Sequence, residues 1–222
     1  MTVRRASGFF RAEECDLTEF RDLTSRNMLP QDAPSASRIE SNVPVYDAAD
    51  LSHRFETDAE RRALMAEWAG VLGDGPGVFV LKRAVTDIEA LDGATAAYHA
   101  IIAAEKDRAG GGADHFAASG ANDRIWNSLQ KLGETAPEAF VRYFASPAID
   151  AAAEAWLGPG YQMTAQVNLV RPGGKAQEAH RDYHLGFQTV EVAETYPAHM
   201  HDLSPVLTLQ GGVAHCDMPV ES

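Results

Sequence analysis

One imidazole and one carboxylate lie two residues apart at His180 and Asp182. Successive side chains of an extended chain point to opposite faces, so these two side chains share one face if the segment is extended. A histidine and a carboxylate on one face supply two of the three ligands of the 2-His-1-carboxylate triad, which binds non-haem Fe(II) and leaves coordination positions open. The spacing therefore predicts a metal site that needs a second histidine from elsewhere in the chain. The alternative is a structural hydrogen bond between the two side chains at a turn.

A predicted β-strand from Tyr161 to Val170 precedes this pair. Apolar residues form one face of the strand (Met163, Ala165, Val167 and Leu169), and polar residues form the other (Gln162, Thr164, Gln166 and Asn168). Alternation with period two is typical of a strand with one apolar face. The turn Pro172-Gly173-Gly174 follows, and we predict that Arg171, beside it, is a solvated surface residue.

Helices are predicted in the first part of the chain. Thr57, Thr86 and Ser146 are predicted N-caps, since the first two begin capping boxes and the third is followed by proline. Apolar residues then recur at helical spacing, and glycine ends the first helix at Gly73 and the last at Gly158.

Short strands complete the predicted architecture. The run Val43–Tyr46 contains a proline and is predicted to be an edge strand. The run Val78–Leu81 is predicted to be a buried strand, and Leu203–Asp217 is mostly β-like. Helices followed by a β-rich second half indicate an α+β fold. Residues 1–42 are polar and are predicted to form an arm with one short helix near Glu13–Asp22, leaving residues 43–222 as the main domain.

Charge and composition exclude several classes of function. The 222 residues contain 19 lysines and arginines against 32 aspartates and glutamates, a net charge of −13. This acidity argues against nucleic acid or an anionic membrane as a partner, because phosphate groups are bound by clustered cations. The two cysteines, Cys15 and Cys216, form no metal-binding pair. Few cysteines and no secretory signal favour the cytoplasm.

The stretch Gln166–Phe187, which carries this strand, the turn and the His180/Asp182 pair, resembles the phytanoyl-CoA dioxygenase family of Fe(II)/2-oxoglutarate oxygenases. That family includes ectoine-hydroxylase-like enzymes. Looser resemblance extends upstream to Trp126–Gln130 and downstream to Leu209–Val213. The resemblance implies a double-stranded β-helix, or jelly roll, on which the N-terminal helices pack. It also implies O2 and a small organic molecule as substrates, without identifying that molecule.

The resemblance assigns roles to individual residues. His180 and Asp182 are expected to bind Fe(II), and the aspartate favours hydroxylation because related halogenases lack it. Asn168 and Gln166, on the same face of the strand, are expected to contact 2-oxoglutarate. The remaining candidates would line the pocket, touch substrate or orient a ligand: His184, Gln177, Trp126 and Asn127.

The chain departs from the family pattern after Asp182. In the family, a distal histidine and a 2-oxoglutarate-binding arginine follow on later strands. None of His184, His199, His201 and His215 stands in the expected context, so we expect both groups, and the last strands, beyond residue 222. Two alternatives remain open: a non-catalytic scaffold on a degenerate jelly roll, and a cupin-like metalloenzyme that uses His199 or His201 without 2-oxoglutarate.

Overall fold

The computed structural model describes residues 8–109, 122–174, 180, 182, 185–186 and 188–218. The helices in it are α1 (Leu17–Thr24), α2 (Asp58–Gly73), α3 (Ile88–Ala109), α4 (Ser128–Thr135), α5 (Pro137–Phe144), α6 (Pro147–Leu157), α7 (Val190–Ala193) and α8 (Ala198–Leu203). The strands are β1 (Arg38–Glu40), β2 (Val43–Asp47), β3 (Val80–Lys82), β4 (Asn122–Ile125) and β5 (Val167–Val170). This mixture of helices and small sheets confirms the α+β prediction. None of the helices described is long and apolar enough to cross a membrane.

The chain forms two compact units, each built from three segments. The first unit comprises Met1–Lys82, Ala151–Pro159 and Ala179–Gln210. The second comprises Arg83–Asp150, Gly160–Glu178 and Gly211–Ser222.

The core of the first unit lies between α2 and a three-stranded sheet with the order β1-β2-β3. Trp68 of α2 is fully buried and stacks on Phe79, with ring centroids 5.2 Å apart. Tyr46 of β2 meets both rings edge-on. Thr57 caps α2 by accepting a hydrogen bond from the backbone N–H of Glu60, as its sequence predicts. The aromatic cluster therefore joins one residue of the apolar face of α2 to rings from β2 and from the segment before β3.

The position of β2 differs from the prediction. It is the central strand of the sheet, antiparallel to β1 and parallel to β3, and not an edge strand. Pro44 is tolerated there because the pairing with β3 begins only at Val45. The proline therefore pairs with Ile39 of β1 on one side, and on the other side it lies just before the first residue that pairs with β3.

The second unit packs α3, α4 and α5 against the two-stranded antiparallel sheet β4-β5. Its core includes Tyr98, Ile125, Leu132 and Tyr143, and the inward residues of β5 pack against it. The Oγ of Ser146 accepts a hydrogen bond from the backbone N–H of Ile149 at the start of α6, which confirms the predicted cap.

Three local predictions are wrong. The strand predicted to be buried at Val78–Leu81 spans Val80–Lys82, and Val78 and Val80 are both exposed. The cap of α3 is Asp87 and not Thr86, since Asp87 Oδ1 accepts from the backbone N–H of Ala90 at 3.0 Å. The segment Leu203–Asp217 holds no strand in the part that the structure describes. Instead, a 3-10 helix spans Ser204–Leu207. Pro205, near its start, fixes φ near its helical value and removes the N–H that a central strand would need.

Candidate metal centre

The structure brings the side chains of His180 and Asp182 together. His180 Nε2 lies 3.3 Å from Asp182 Oδ1, and the two side chains are 24% and 40% exposed. Two ligand atoms that each lie about 2.1 Å from a metal ion, at a right angle, are about 3 Å apart. The observed separation is therefore close to that of two adjacent ligands on one ion, and both groups remain accessible.

A third side chain holds the other oxygen of the carboxylate. Gln210 Nε2 donates a hydrogen bond to Asp182 Oδ2 at 2.5 Å, across 28 residues of sequence. The two carboxylate oxygens thus have different neighbours, an imidazole at Oδ1 and an amide at Oδ2. Gln210 was not predicted as a site residue, although it lies within the segment Leu209–Val213 that carries the looser family resemblance.

Of the residues expected to contact 2-oxoglutarate, Asn168 lies on the exposed face of β5 and Gln166 lies just before that strand. Side chains alternate between partly buried and exposed from Tyr161 to Val170, as predicted, and Gln166 and Asn168 are both exposed. Asn168 lies directly opposite Arg124 of β4. Opposite residues of an antiparallel pair have their Cβ atoms about 4.5–5.5 Å apart, so an amide and a guanidinium share this face.

Trp126 follows Arg124 along the chain and supports it. The guanidinium lies over the indole ring, with its carbon 4.9 Å from the ring centroid. Trp126 is 44% exposed and is not part of the core, and Asn127 precedes α4 with a left-handed backbone. These residues, with Gln166 and Asn168, belong to the second unit, whereas His180 and Asp182 belong to the first. The predicted contacts of His184 and Gln177 lie outside the described residues.

Arg171 has a structural role that the sequence analysis missed. Its Nε and Nη2 donate to Asp123 Oδ2 at 2.8 and 2.6 Å, and Lys106 Nζ lies 2.5 Å from Asp123 Oδ1. The Asp123 side chain is only 4% exposed. Burial alone would raise the pKa of this carboxyl, but the hydrogen bonds from Lys106 and Arg171 outweigh it and lower the pKa below its ordinary value. The cluster fixes the end of β5 to β4, close to Asn168.

Comparison with known families identifies one match for this chain. The family model of phytanoyl-CoA dioxygenase matches residues 73–222, which is more than half of the chain. The chain belongs to the phytanoyl-CoA dioxygenase family. No curated protein and no solved structure gives a significant match. The match includes every site residue predicted above, and members of the phytanoyl-CoA dioxygenase family are generally Fe(II)/2-oxoglutarate-dependent oxygenases.

The donor set fits the metal that the phytanoyl-CoA dioxygenase family implies. One imidazole nitrogen and one carboxylate oxygen are two of the ligand types of the non-haem Fe(II) triad. Within the described residues, no group of three histidine, cysteine, aspartate or glutamate side chains is placed to bind a metal. The third ligand is therefore not identified among them.

The other histidines that were considered as ligands have different surroundings. His201 Nε2 lies 2.9 Å from the carbonyl oxygen of Ala193, so this nitrogen carries a proton and is not free to bind a metal. His215 belongs to the second unit, where Nδ1 lies 2.7 Å from Thr95 Oγ1 and Nε2 lies 2.8 Å from the Tyr143 hydroxyl. Burial lowers the pKa of His215. His199 is exposed on α8.

Proposed function

We propose that this protein is an Fe(II)/2-oxoglutarate-dependent dioxygenase that hydroxylates a small organic molecule. The observation that carries the proposal is the 3.3 Å approach of His180 Nε2 to Asp182 Oδ1, in a chain that belongs to the phytanoyl-CoA dioxygenase family. A carboxylate ligand at position 182 favours hydroxylation over halogenation, since it occupies the coordination position that a halide would need.

The proposed roles follow the chemistry of each side chain. His180 and Asp182 bind iron through Nε2 and Oδ1, together with a histidine outside the described residues. The side-chain amide of Asn168 donates to a carboxylate oxygen of 2-oxoglutarate, a charge-assisted hydrogen bond, and Gln166 contributes beside it. When bound, iron and 2-oxoglutarate supply the oxidation, in which O2 delivers one oxygen atom to succinate, formed with loss of CO2, and the other to the substrate.

Four further residues are proposed to contact substrate or to orient the ligands: His184, Gln177, Trp126 and Asn127. The case is most concrete for Trp126, because an exposed indole that supports a guanidinium offers both an apolar surface and a cation. Such a surface suits a small molecule with an apolar part and an anionic group.

The finer architecture is also part of the proposal. Residues 43–222 belong to an oxygenase domain of the jelly-roll type with a helical N-terminal half, and residues 1–42 form its arm. The net charge of −13 is consistent with a cytoplasmic enzyme that takes O2 and a small molecule and binds no nucleic acid.

Turnover of 2-oxoglutarate tests the reaction class before the substrate is known. We expect the protein to release CO2 from 1-14C-labelled 2-oxoglutarate only when Fe(II) and O2 are both present, and Asp182→Ala to abolish the release. Asp202→Ala is the matched control, because Asp202 is an exposed aspartate of the same unit and is expected to leave the rate unchanged. A rate that is unaffected by Asp182→Ala would contradict the assignment. Once a substrate is found, a product without 18O from 18O2 would rule out hydroxylation.

A further inference from the structure

The two carboxylate oxygens of Asp182 have different neighbours: one accepts a hydrogen bond from the side-chain amide of Gln210, and the other lies close to the imidazole of His180. Gln210 Nε2 donates to Oδ2 at 2.5 Å, while His180 Nε2 lies 3.3 Å from Oδ1. An ionised carboxylate only accepts hydrogen bonds, so the side chain of Gln210 must present its NH2 group, and not its oxygen, to Asp182. In this hydrogen bond, Gln210 is therefore the donor and Asp182 the acceptor.

We infer that Gln210 is a positioning residue that fixes the carboxylate of Asp182 for metal binding through Oδ1. The inference rests on the proposed function, since it concerns the same ligand pair. Rotation about the last torsion of an aspartate side chain is broad and close to two-fold, so the torsion itself does not select one oxygen. Asp182 is 40% exposed, and packing therefore restrains the carboxylate only weakly.

The amide supplies the missing restraint. With Oδ2 held by Gln210, the carboxylate is directed to bind a metal through Oδ1 alone, on the side where His180 Nε2 lies. Partners of this kind, which hydrogen-bond a metal ligand, are typically worth about 10- to 100-fold in metal affinity. Gln210 is neutral, so it orients the carboxylate without neutralising the charge that attracts the metal.

Cobalt binding tests this role without requiring activity. Co(II) is titrated anaerobically into the protein and followed by the visible absorption of the bound ion. Gln210→Met keeps the length of the side chain but removes both amide donors. We expect its Kd for Co(II) to rise about 10-fold or more, and the cobalt absorption at saturation to change in shape because the carboxylate is free to bind through both oxygens.

Gln130→Met is the matched control. Gln130 is also exposed and also donates from Nε2 to a carboxylate, that of Glu134 at 2.8 Å, but this pair lies on α4. We expect its affinity and cobalt spectrum to match those of the wild type. Gln210→Asn, whose amide is one methylene too short to reach Oδ2, should weaken binding in the same direction as Gln210→Met. Circular dichroism establishes that each variant is folded.

The possible outcomes separate the inference from the proposed function. If the wild type binds Co(II) through His180 and Asp182 and Gln210→Met binds it equally well with the same spectrum, the role of Gln210 is wrong and the metal site stands. If His180→Ala and Asp182→Ala leave Co(II) binding unchanged, the proposed function itself is wrong, and the inference is overturned with it. In the metal-free protein, Asp182→Asn should shift the side-chain amide NMR signals of Gln210 and not those of Gln130. Unshifted Gln210 signals would overturn the inference independently.

Discussion

Replacing Arg171 with methionine should destabilise the second unit strongly, because it leaves part of a buried carboxylate without a partner. The change removes two hydrogen bonds to Asp123 Oδ2, at 2.8 and 2.6 Å, on a side chain that is only 4% exposed. A hydrogen bond to a charged group contributes about 1.5–3 kcal/mol, and loss of one partner of a fully buried ion pair costs about 3–5 kcal/mol. Since Lys106 still holds Oδ1, we expect Arg171→Met to lower the free energy of unfolding by about 2–4 kcal/mol.

Arg142→Met is the control for this prediction. Arg142 also donates through Nε and Nη2, to Asp87 Oδ2 and Oδ1 respectively at 2.8 Å each, and both side chains are exposed, at 50% and 39%. Exposed ion pairs contribute little to stability because solvent screens them, so this variant should lose much less stability than Arg171→Met does. The two arginines therefore differ mainly in the burial of the carboxylate that they bind.

Urea unfolding of the two variants and the wild type, followed by circular dichroism, measures the difference. Equal losses for Arg171→Met and Arg142→Met would refute the reasoning, since they would mean that burial of Asp123 does not control the strength of the interaction. A small loss at Arg171 would also restore the original prediction that it is a solvated surface residue.

Three further predictions concern the folded units. Burial lowers the pKa of His215, so the folded protein favours the neutral imidazole and loses stability as the pH falls below the unfolded-state pKa of about 6.5. His215→Phe should therefore flatten the fall in stability between about pH 7 and 5, as measured by thermal unfolding. An unchanged slope would contradict this. Ser146→Ala removes the cap of α6 and should cost about 1 kcal/mol, measured by urea unfolding against Ser25→Ala, whose hydroxyl bonds only a carbonyl oxygen at the end of α1. Trp68→Ala empties the fully buried centre of the first unit and should cost about 3–5 kcal/mol; a loss below 1 kcal/mol would exclude a tightly packed core there.

The features predicted correctly are those determined by neighbouring residues. The caps at Thr57 and Ser146 depend on a hydroxyl that is three residues from the N–H it binds. The alternation from Tyr161 to Val170 reflects the two faces of an extended chain, and it placed Asn168 and Gln166 on the exposed face. The proximity of His180 and Asp182 is equally local, since only one residue separates them, whereas their binding of a metal stays a prediction.

The features that were missed depend on contacts between distant residues. Gln210 reaches Asp182 across 28 residues, and Arg171 reaches Asp123 across 48. Periodic patterns in the sequence do not predict which distant residues come into contact. The central position of β2 was missed for the same reason. A proline excludes a strand from the centre of a sheet only if the proline itself would have to pair with both neighbouring strands. In this sheet, the pairing with β3 begins one residue after Pro44.

The measurement that tests the central claim most directly is an anaerobic titration of the protein with Fe(II) and 2-oxoglutarate. Chelation of the iron by the keto acid gives a weak visible charge-transfer band. We predict that the band appears in the wild type and is lost in both His180→Ala and Asp182→Ala, while His53→Ala, at an exposed histidine of the first unit, retains it. No band in the folded full-length wild-type protein, or a band that survives both substitutions, would contradict the claim that His180 and Asp182 bind the iron.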